Sequence, residues 1–204
     1  YMLSQGFNHD NSAEQEEGLE MVGFMVARIR RMVLDILHYA KVQDFQWQRL
    51  AVAEFSRELA AAFEPKAAAN RIAFERKFAA DLGEFEVDAG VVRAIISNLL
   101  DNAIDACATD TSGRDHGITF SVQGQGETVI FAVTDNGIGM DADTRAKIFT
   151  PFYTSKGSRG TGLGLYISNK LLAQHGGSIR LESRAGRGTC FTLSIPRGPS
   201  LAPA

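Results

Sequence analysis

Asp135-Asn136-Gly137-Ile138-Gly139-Met140, then Phe149-Thr150-Pro151-Phe152-Tyr153-Thr154-Ser155-Lys156, then Gly160-Thr161-Gly162-Leu163-Gly164-Leu165 follow one another in this chain. Glycines at i, i+2 frame a loop that carries Lys156, and the last cluster runs straight into the apolar, helix-like segment Leu165 to Ala173. Glycine lets backbone N–H groups approach an anion closely, and a helix N-terminus adds unpaired donors and the positive end of its dipole. The stretch reads as a phosphate cradle, and a nucleotide is the ligand it suggests.

Working outward, Ile118 to Gln123 and Thr128 to Thr134 alternate as two strands joined by the Gly124-Gln125-Gly126-Glu127 turn, a hairpin by composition and length. Asp141 to Ile148 is helix-like, and the helix after the glycine cluster ends at His175-Gly176-Gly177. Ser178 to Ser183 and Thr189 to Ile195 are the last strands. Upstream, Gln46 to Val52 alternates like an edge strand, and Glu54 to Ala69 is an Ala-rich amphipathic helix, bent or ended near Pro65. Arg71 to Phe78 is a strand and Phe85 to Val87 a short one. Asp88 then caps a helix over Ala89 to Ala108. The pattern predicts an α+β fold: a two-layer α/β sandwich with a mixed, mostly antiparallel sheet, over residues 45–199. The chain from Pro196 onward reads as a tail, with 200–204 beyond the domain.

Glu14 to Val42 reads as one long helix, because Leu19, Val22, Val26, Ile29, Val33, Ile36 and Ala40 alternate spacings of three and four. So wide a stripe packs either in a bundle or against its own globular domain. In the first case residues 1–44 are part of a helical hairpin, and the opening Tyr1-Met2-Leu3-Ser4-Gln5 ends its preceding helix. The chain is then expected to be a piece of a longer protein.

Composition narrows the class. The net charge of −3 over 204 residues argues against an extended nucleic-acid surface. Cys107 and Cys190 are the only cysteines and form no C-x-x-C pair, so neither a disulfide framework nor a zinc site is expected, and a reducing, cytoplasmic setting fits. No apolar run reaches the roughly 18 residues that a membrane span needs, so this piece is expected to make no membrane contact, although a longer parent can be membrane-anchored.

Asn98-Leu99-Leu100-Asp101-Asn102-Ala103-Ile104-Asp105-Ala106 sits inside the helix from Ala89, which stacks Asn98 over Asn102 and Asp101 over Asp105. Asn is a weak helix former, and like charges at i, i+4 repel. A helix that accepts both penalties is either showing a solvated polar face or aiming hard oxygens at a cation such as Mg²⁺, which takes one or two protein ligands plus substrate phosphates. Asp135-Asn136-Gly137 is ambiguous by itself. It is a tight-hairpin signal, and equally a strand-end carboxylate able to accept the exocyclic amine of adenine. No G-x-x-x-x-G-K-[ST], no G-x-G-x-x-G after a strand, and no H-R-D or D-F-G is present, which excludes P-loop, Rossmann and eukaryotic-type kinase sites.

The order Asn98…Asn102, Asp135-x-Gly137-x-Gly139, Phe149-x-Pro151-Phe152, Gly160 to Leu165, and Gly186-Arg187-Gly188-Thr189 resembles the N, G1, F, G2 and G3 boxes of the catalytic domain of two-component sensor histidine kinases. That family belongs to the gyrase, Hsp90, histidine kinase and MutL superfamily. The resemblance implies a Bergerat fold that binds ATP·Mg²⁺, with Asn102 on the metal, Asp135 and Thr189 at adenine, and residues 150–164 as a lid over the phosphates. Contacts to nucleotide are implied for Asn98, Asp105, Gly137, Gly139, Met140, Phe149, Thr154, Lys156, Gly160, Thr161, Gly162, Leu163, Gly164 and Leu165 as well. Asn98 and Lys156 are the residues implied at the chemical step. Lys156 can also be a solvated loop charge, with Arg159 its understudy.

The helix at 14–42 is similar to the second helix of the family's dimerisation and phosphotransfer hairpin. This implies a homodimer in the full-length protein and a response regulator receiver domain as partner. The phosphoacceptor box is not in this chain: His9-Asp10 continues into a turn, His38 falls on an outer heptad position, His116 lies in a polar loop, and His175 is expected to complement the carbonyl end of a helix dipole. Asp105 stands where many of these kinases carry Lys. Asp101 and Asp105 resemble the topoisomerase and MutL branch, so an ATPase clamp is the rival reading, with a nucleotide-sensing scaffold behind it. Asn98 speaks against the clamp, because that branch has a Glu there to activate water, and an amide cannot act as a base.

Overall fold

The computed structural model describes residues 45–157 and 160–198, with isolated helical positions between 18 and 29. The rest of the helix expected over 14–42, His9, His38, Arg159 and the tail from 199 lie outside the described residues. Strand β1 (Trp47–Ala51) leads into helix α1 (Val52–Ala69), followed by β2 (Ile72–Phe78), β3 (Glu84–Asp88) and helix α2 (Ala89–Ala108). Then come β4 (His116–Gln125), β5 (Thr128–Asp135), the short helix α3 (Ala142–Lys147), helix α4 (Gly164–Gln174), β6 (Ser178–Arg184) and β7 (Gly188–Pro196).

Five strands form one sheet in the order β2-β4-β5-β7-β6, and β1 pairs with β3 in a separate two-stranded ribbon. Only β2 and β4 run parallel; the other pairs are antiparallel. This is the expected two-layer α+β sandwich with a mixed, mostly antiparallel sheet. Strand parity builds the core. Ile118, Phe120 and Val122 of β4, Val129, Phe131 and Val133 of β5, and Phe191, Leu193 and Ile195 of β7 are all buried, while the alternate residues face outward. Against that face α2 buries Val92, Ile95, Ile96, Leu99, Leu100, Ala103 and Ile104 at helical spacing. At roughly 1.5 to 3 kcal/mol per fully buried large apolar side chain, burial at this interface is the main force holding α2 in place.

Local signals behave as expected at α2, where the Asp88 carboxylate accepts the Val91 N–H at 3.1 Å. One open alternative is decided and two expectations need correction. Helix α1 ends at Ala69 as expected and runs through Pro65 without ending there, and it buries Ala67 beyond the proline. Tertiary burial outweighs the one backbone hydrogen bond that proline removes. The segment after Pro196 is not loose at its start, since the Arg197 guanidinium donates to the Gly126, Leu82 and Glu84 carbonyls at 3.0, 2.8 and 2.7 Å. His175 is no charged dipole partner. It is buried, its Nε2 accepts the Asp88 N–H at 3.2 Å, and its ring packs between Phe45 and Trp47. Burial holds its pKa below the usual imidazole range.

Candidate nucleotide-binding site

Helix α2 organises the site, because three of its residues a turn apart each touch a different segment: the start of α4, the loop that carries Lys156, and the loop after β5. Asn98, Asn102 and Ala106 stand at i, i+4 and i+8, so they share one face at roughly 6 Å intervals along the axis. At the first level the Asn98 amide donates to the buried Ser168 hydroxyl of α4 at 3.0 Å. A Cβ on Gly164 would meet Asn98 Oδ1 at 2.7 Å, so the start of α4 sits directly on this side chain. At the second level Asn102 Oδ1 accepts from the Lys156 ammonium at 2.7 Å. At the third, Ala106 O accepts the Ile138 N–H at 3.2 Å, and a Cβ on Gly137 would lie 2.5 Å from the Ala106 carbonyl group. Any larger residue at Gly137 would push the 135–140 loop off the helix.

Asp135 owes its position to strand parity. It follows Val129, Phe131 and Val133 on the inward face of β5, so a carboxylate occupies the end of a hydrophobic row and is 6% exposed. Its sheet neighbours in that row are Ile118 and Thr189. Ser183 follows Thr189 across β6, and their hydroxyls lie 3.0 Å apart. The core thus ends in a polar patch built to hydrogen-bond. Burial pushes the Asp135 pKa up to about 6, against the pull of N–H donors from Gly137 and Thr189 and of the Arg114 and His116 charges. Beside it an open hollow of about 510 Å³ runs along β6 and β7, with Thr189, Arg145, Arg184 and Arg187 in its lining. Asn102 and Gly162 are not in that lining, and α2, not the hollow, runs between the Asp135 end and the Lys156 end.

On the middle turn of that face the Lys156 ammonium bridges Asn102 Oδ1 and Asp105 Oδ2, each at 2.7 Å. Asn102 and Asp105 thus share one ammonium. Asp101 diverges from the expectation for its face and pairs instead with Lys66 of α1. Thr154, Gly160, Thr161 and Gly162 cluster on the lid. Thr154 Oγ1 accepts the Lys156 N–H at 3.1 Å, and a Cβ on Gly160 would strike that same oxygen at 2.1 Å. Gly162 has φ 69° and lies against the Phe152 carbonyl group, and a side chain there would meet both penalties. Leu163 is buried, and Met140, Phe149 and Leu165 are half-buried against the core.

Arg114 escaped the sequence reading. It lies in the polar loop between α2 and β4, where nothing local distinguishes it from a solvated charge. Its guanidinium donates to Gly137 O at 2.7 Å and Gly186 O at 2.8 Å, and pairs with Asp110. It bridges the loop that carries Asp135 and the β6–β7 turn that precedes Thr189.

Residues 87–199 match the family described as histidine kinase-, DNA gyrase B-, and HSP90-like ATPase. Among curated proteins, the chain is 29% identical over 184 residues to the signal transduction histidine-protein kinase AtoS of Escherichia coli strain K12, covering 90% of this chain and 29% of AtoS. Among solved structures, the nucleotide-free catalytic domain of the histidine kinase ThkA aligns with a TM-score of 0.65 at 31% identity, over 76% of this chain and 98% of that one. ThkA in complex with the response regulator protein TrrA aligns with a TM-score of 0.77 at 25% identity, over 98% of this chain and 57% of that one. The chain therefore spans less than a third of AtoS, and what it shares with its relatives is the part that carries the five motifs. A sheet-backed helix that meets one glycine motif at Asn98 and another at Ala106, together with a family match over more than half of its length, makes this chain a member of the histidine kinase-, DNA gyrase B- and HSP90-like ATPases, with an ATP-binding catalytic domain of the sensor histidine kinase type.

Proposed function

We propose that this chain binds ATP·Mg²⁺ and is the catalytic part of a sensor histidine kinase, which transfers the γ-phosphoryl group to a histidine on a helix outside this chain for relay to a response regulator. The observation that carries the reading is the convergence of Asn102 Oδ1 and Asp105 Oδ2 on one ammonium, 2.7 Å from each, beside the glycine lid. Two hard oxygens already satisfied by a cation fit Mg²⁺. Substrate phosphates would complete the ligand set. Bound there, Mg²⁺ would neutralise phosphate charge.

The chain's own residues supply the remainder. Asp135, when ionised, accepts the adenine amine, and Thr189 flanks it. Gly137, Gly139 and Gly164 let α2 and the β6–β7 turn close in on the loops that shape the pocket, and the backbone of Gly160 to Gly164 offers N–H donors at the start of α4. Lys156 moves from Asn102 to the γ-phosphate, where charge spreads over the equatorial oxygens in the transition state. Position and charge are most of what phosphoryl transfer asks of a protein.

Residues 1–44 are assigned to part of a dimerisation and phosphotransfer hairpin and 45–199 to the catalytic domain. In support of a homodimer through that hairpin, Leu19, Met21, Val22, Met25, Val26 and Ile29 are each between 45% and 62% exposed. No helix among the described residues is long and apolar enough to cross a membrane. An ATPase clamp is disfavoured by Asn98, whose amide is committed to Ser168.

The test is calorimetric titration of ADP and ATP with and without Mg²⁺, then incubation of the chain with ATP and the missing hairpin domain of its full-length parent. Mg²⁺-dependent binding and an acid-labile phosphohistidine are expected. Tight ATP binding with steady phosphate release and no phosphohistidine would hand the case to the clamp.

A further inference from the structure

We propose that Arg114 is a positioning residue for base recognition, holding the Asp135 loop and the β6–β7 turn at one separation through a single guanidinium. The inference rests on the nucleotide reading above and deepens it.

The two loops meet with little tolerance. Gly186 N–H donates to Ile138 O at 2.7 Å, and a Cβ on Gly139 would lie 2.1 Å from Arg184 O. A Cβ on Gly188 would lie 2.0 Å from Asp135 O. These contacts set how closely the loops approach, and they run through backbone alone. Arg114 is the side chain that reaches both sides: one terminal nitrogen donates to Gly186 O and the other to Gly137 O. A planar fork suits this task, because its donors are fixed relative to each other, whereas an ammonium carries only a point charge. The fork is itself aimed. Asp110 pairs with the nitrogen that serves Gly137, and the Asp110 carboxylate is held down to about 2, chiefly by N–H and hydroxyl donation from Ser112, with Arg114 adding to it.

Arg114 also acts on the Asp135 carboxylate through its charge. The groups around that carboxylate are Cys107 of α2, Asp110 and Arg114 of the following loop, and His116 at the start of β4. Arg145 of α3 and Arg184 and Arg187 of the β6–β7 turn line the hollow next to it. The permanent charge of Arg114 favours the ionised form, the form that accepts an exocyclic amine. Arg114 therefore has two separable effects, one through geometry and one through charge.

The experiment measures ADP affinity from pH 5 to 8 by calorimetry for the wild-type chain, Arg114→Gln and Arg114→Lys. For Arg114→Gln, affinity at pH 8 is expected to fall roughly tenfold, the loss of about one charge-assisted hydrogen bond. The pH midpoint for loss of binding is expected to move upward. Arg114→Lys should return the midpoint toward wild type while affinity at pH 8 stays low. Wild-type affinity in Arg114→Gln, or reduced affinity with one unchanged midpoint in both variants, overturns the proposal, the second outcome marking a merely structural arginine. If Arg114→Gln does not fold, Asp110→Asn replaces it as the variant that frees the fork, and unchanged affinity there has the same force. A wild-type chain that binds no nucleotide ends the functional reading and this proposal together.

Discussion

The Lys156 ammonium lies 2.7 Å from the Asn102 carboxamide oxygen, across 54 residues of chain, and the same ammonium reaches Asp105. A loop lysine thus occupies the place where a divalent cation would meet the helix. In the proposed function the two cations exchange: Mg²⁺ arrives with ATP, and Lys156 is released toward the γ-phosphate. Lys156→Ala should therefore lower phosphotransfer by about 10²-fold or more, the loss typical of one transition-state donor, with ADP affinity altered by no more than about threefold. Transfer rates at saturating ATP, set beside ADP calorimetry, check this. Equal losses in both would show that the lysine serves binding and not the chemical step.

Asn102→Ala removes the central oxygen of the pair. ATP binding should lose its Mg²⁺ enhancement, while Asp105→Asn, which keeps an oxygen at that position, should retain most of it. Titration of ATP against fixed chain with Mg²⁺ present or chelated measures this, and a full Mg²⁺ effect in Asn102→Ala would place the metal elsewhere.

Asp135 sets a pH limit. Its pKa is raised from 3.8 to about 6 by burial, so the folded state holds a proton there that the unfolded state has lost. Between those values the native chain binds more protons, and this group's contribution to stability falls as pH rises from about 4 to about 6. Above that, the ionised buried carboxylate costs about 3 kcal/mol. Binding runs the other way, because the amine acceptor is lost as pH drops through 6. ADP affinity should fall by up to tenfold per unit below pH 6, and Asp135→Asn should flatten that slope. A pH-independent affinity in the wild-type chain between 5 and 7 would remove Asp135 from the base pocket.

Asn98→Ala leaves the Ser168 hydroxyl, 4% exposed, without its partner. An orphaned buried polar group costs about 1 to 3 kcal/mol, so the thermal midpoint should drop by several degrees. Asn98→Ala with Ser168→Ala should recover part of the loss. Additive losses in the double variant would show that the pair is not coupled.

Gly188→Ala places a Cβ 2.0 Å from Asp135 O at a residue with φ 101°. Both the clash and the backbone strain fall on the strand pair that holds Asp135 and Thr189. Nucleotide binding should be abolished or weakened at least about 10²-fold, more than by Gly113→Ala, where φ is also positive but the space is open. Equal effects of the two substitutions would mean that close approach is not the cause.

The sequence by itself determined the layer architecture, the cap at Asp88 and the strand-end position of Asp135. The first follows from periodicity, which reports on which face of its own element a residue lies, and the others from residue type at an element's boundary. The five motifs were legible through their order, which resembles a known family, and the glycines among them because a turn or a close backbone approach leaves its mark on the residue that makes it. What only the tertiary structure decided is who stands opposite. Asp101 meets Lys66 and not the cleft, His175 is neutral and buried under Trp47, Lys156 rests on Asn102, and Arg114 spans 72 residues to Gly186. Such pairings depend on how finished elements dock, and a charge in a polar loop reads the same whether it will meet water or a carbonyl. Local chemistry encodes conformation, whereas partnership across a gap is encoded only by the packing that closes it.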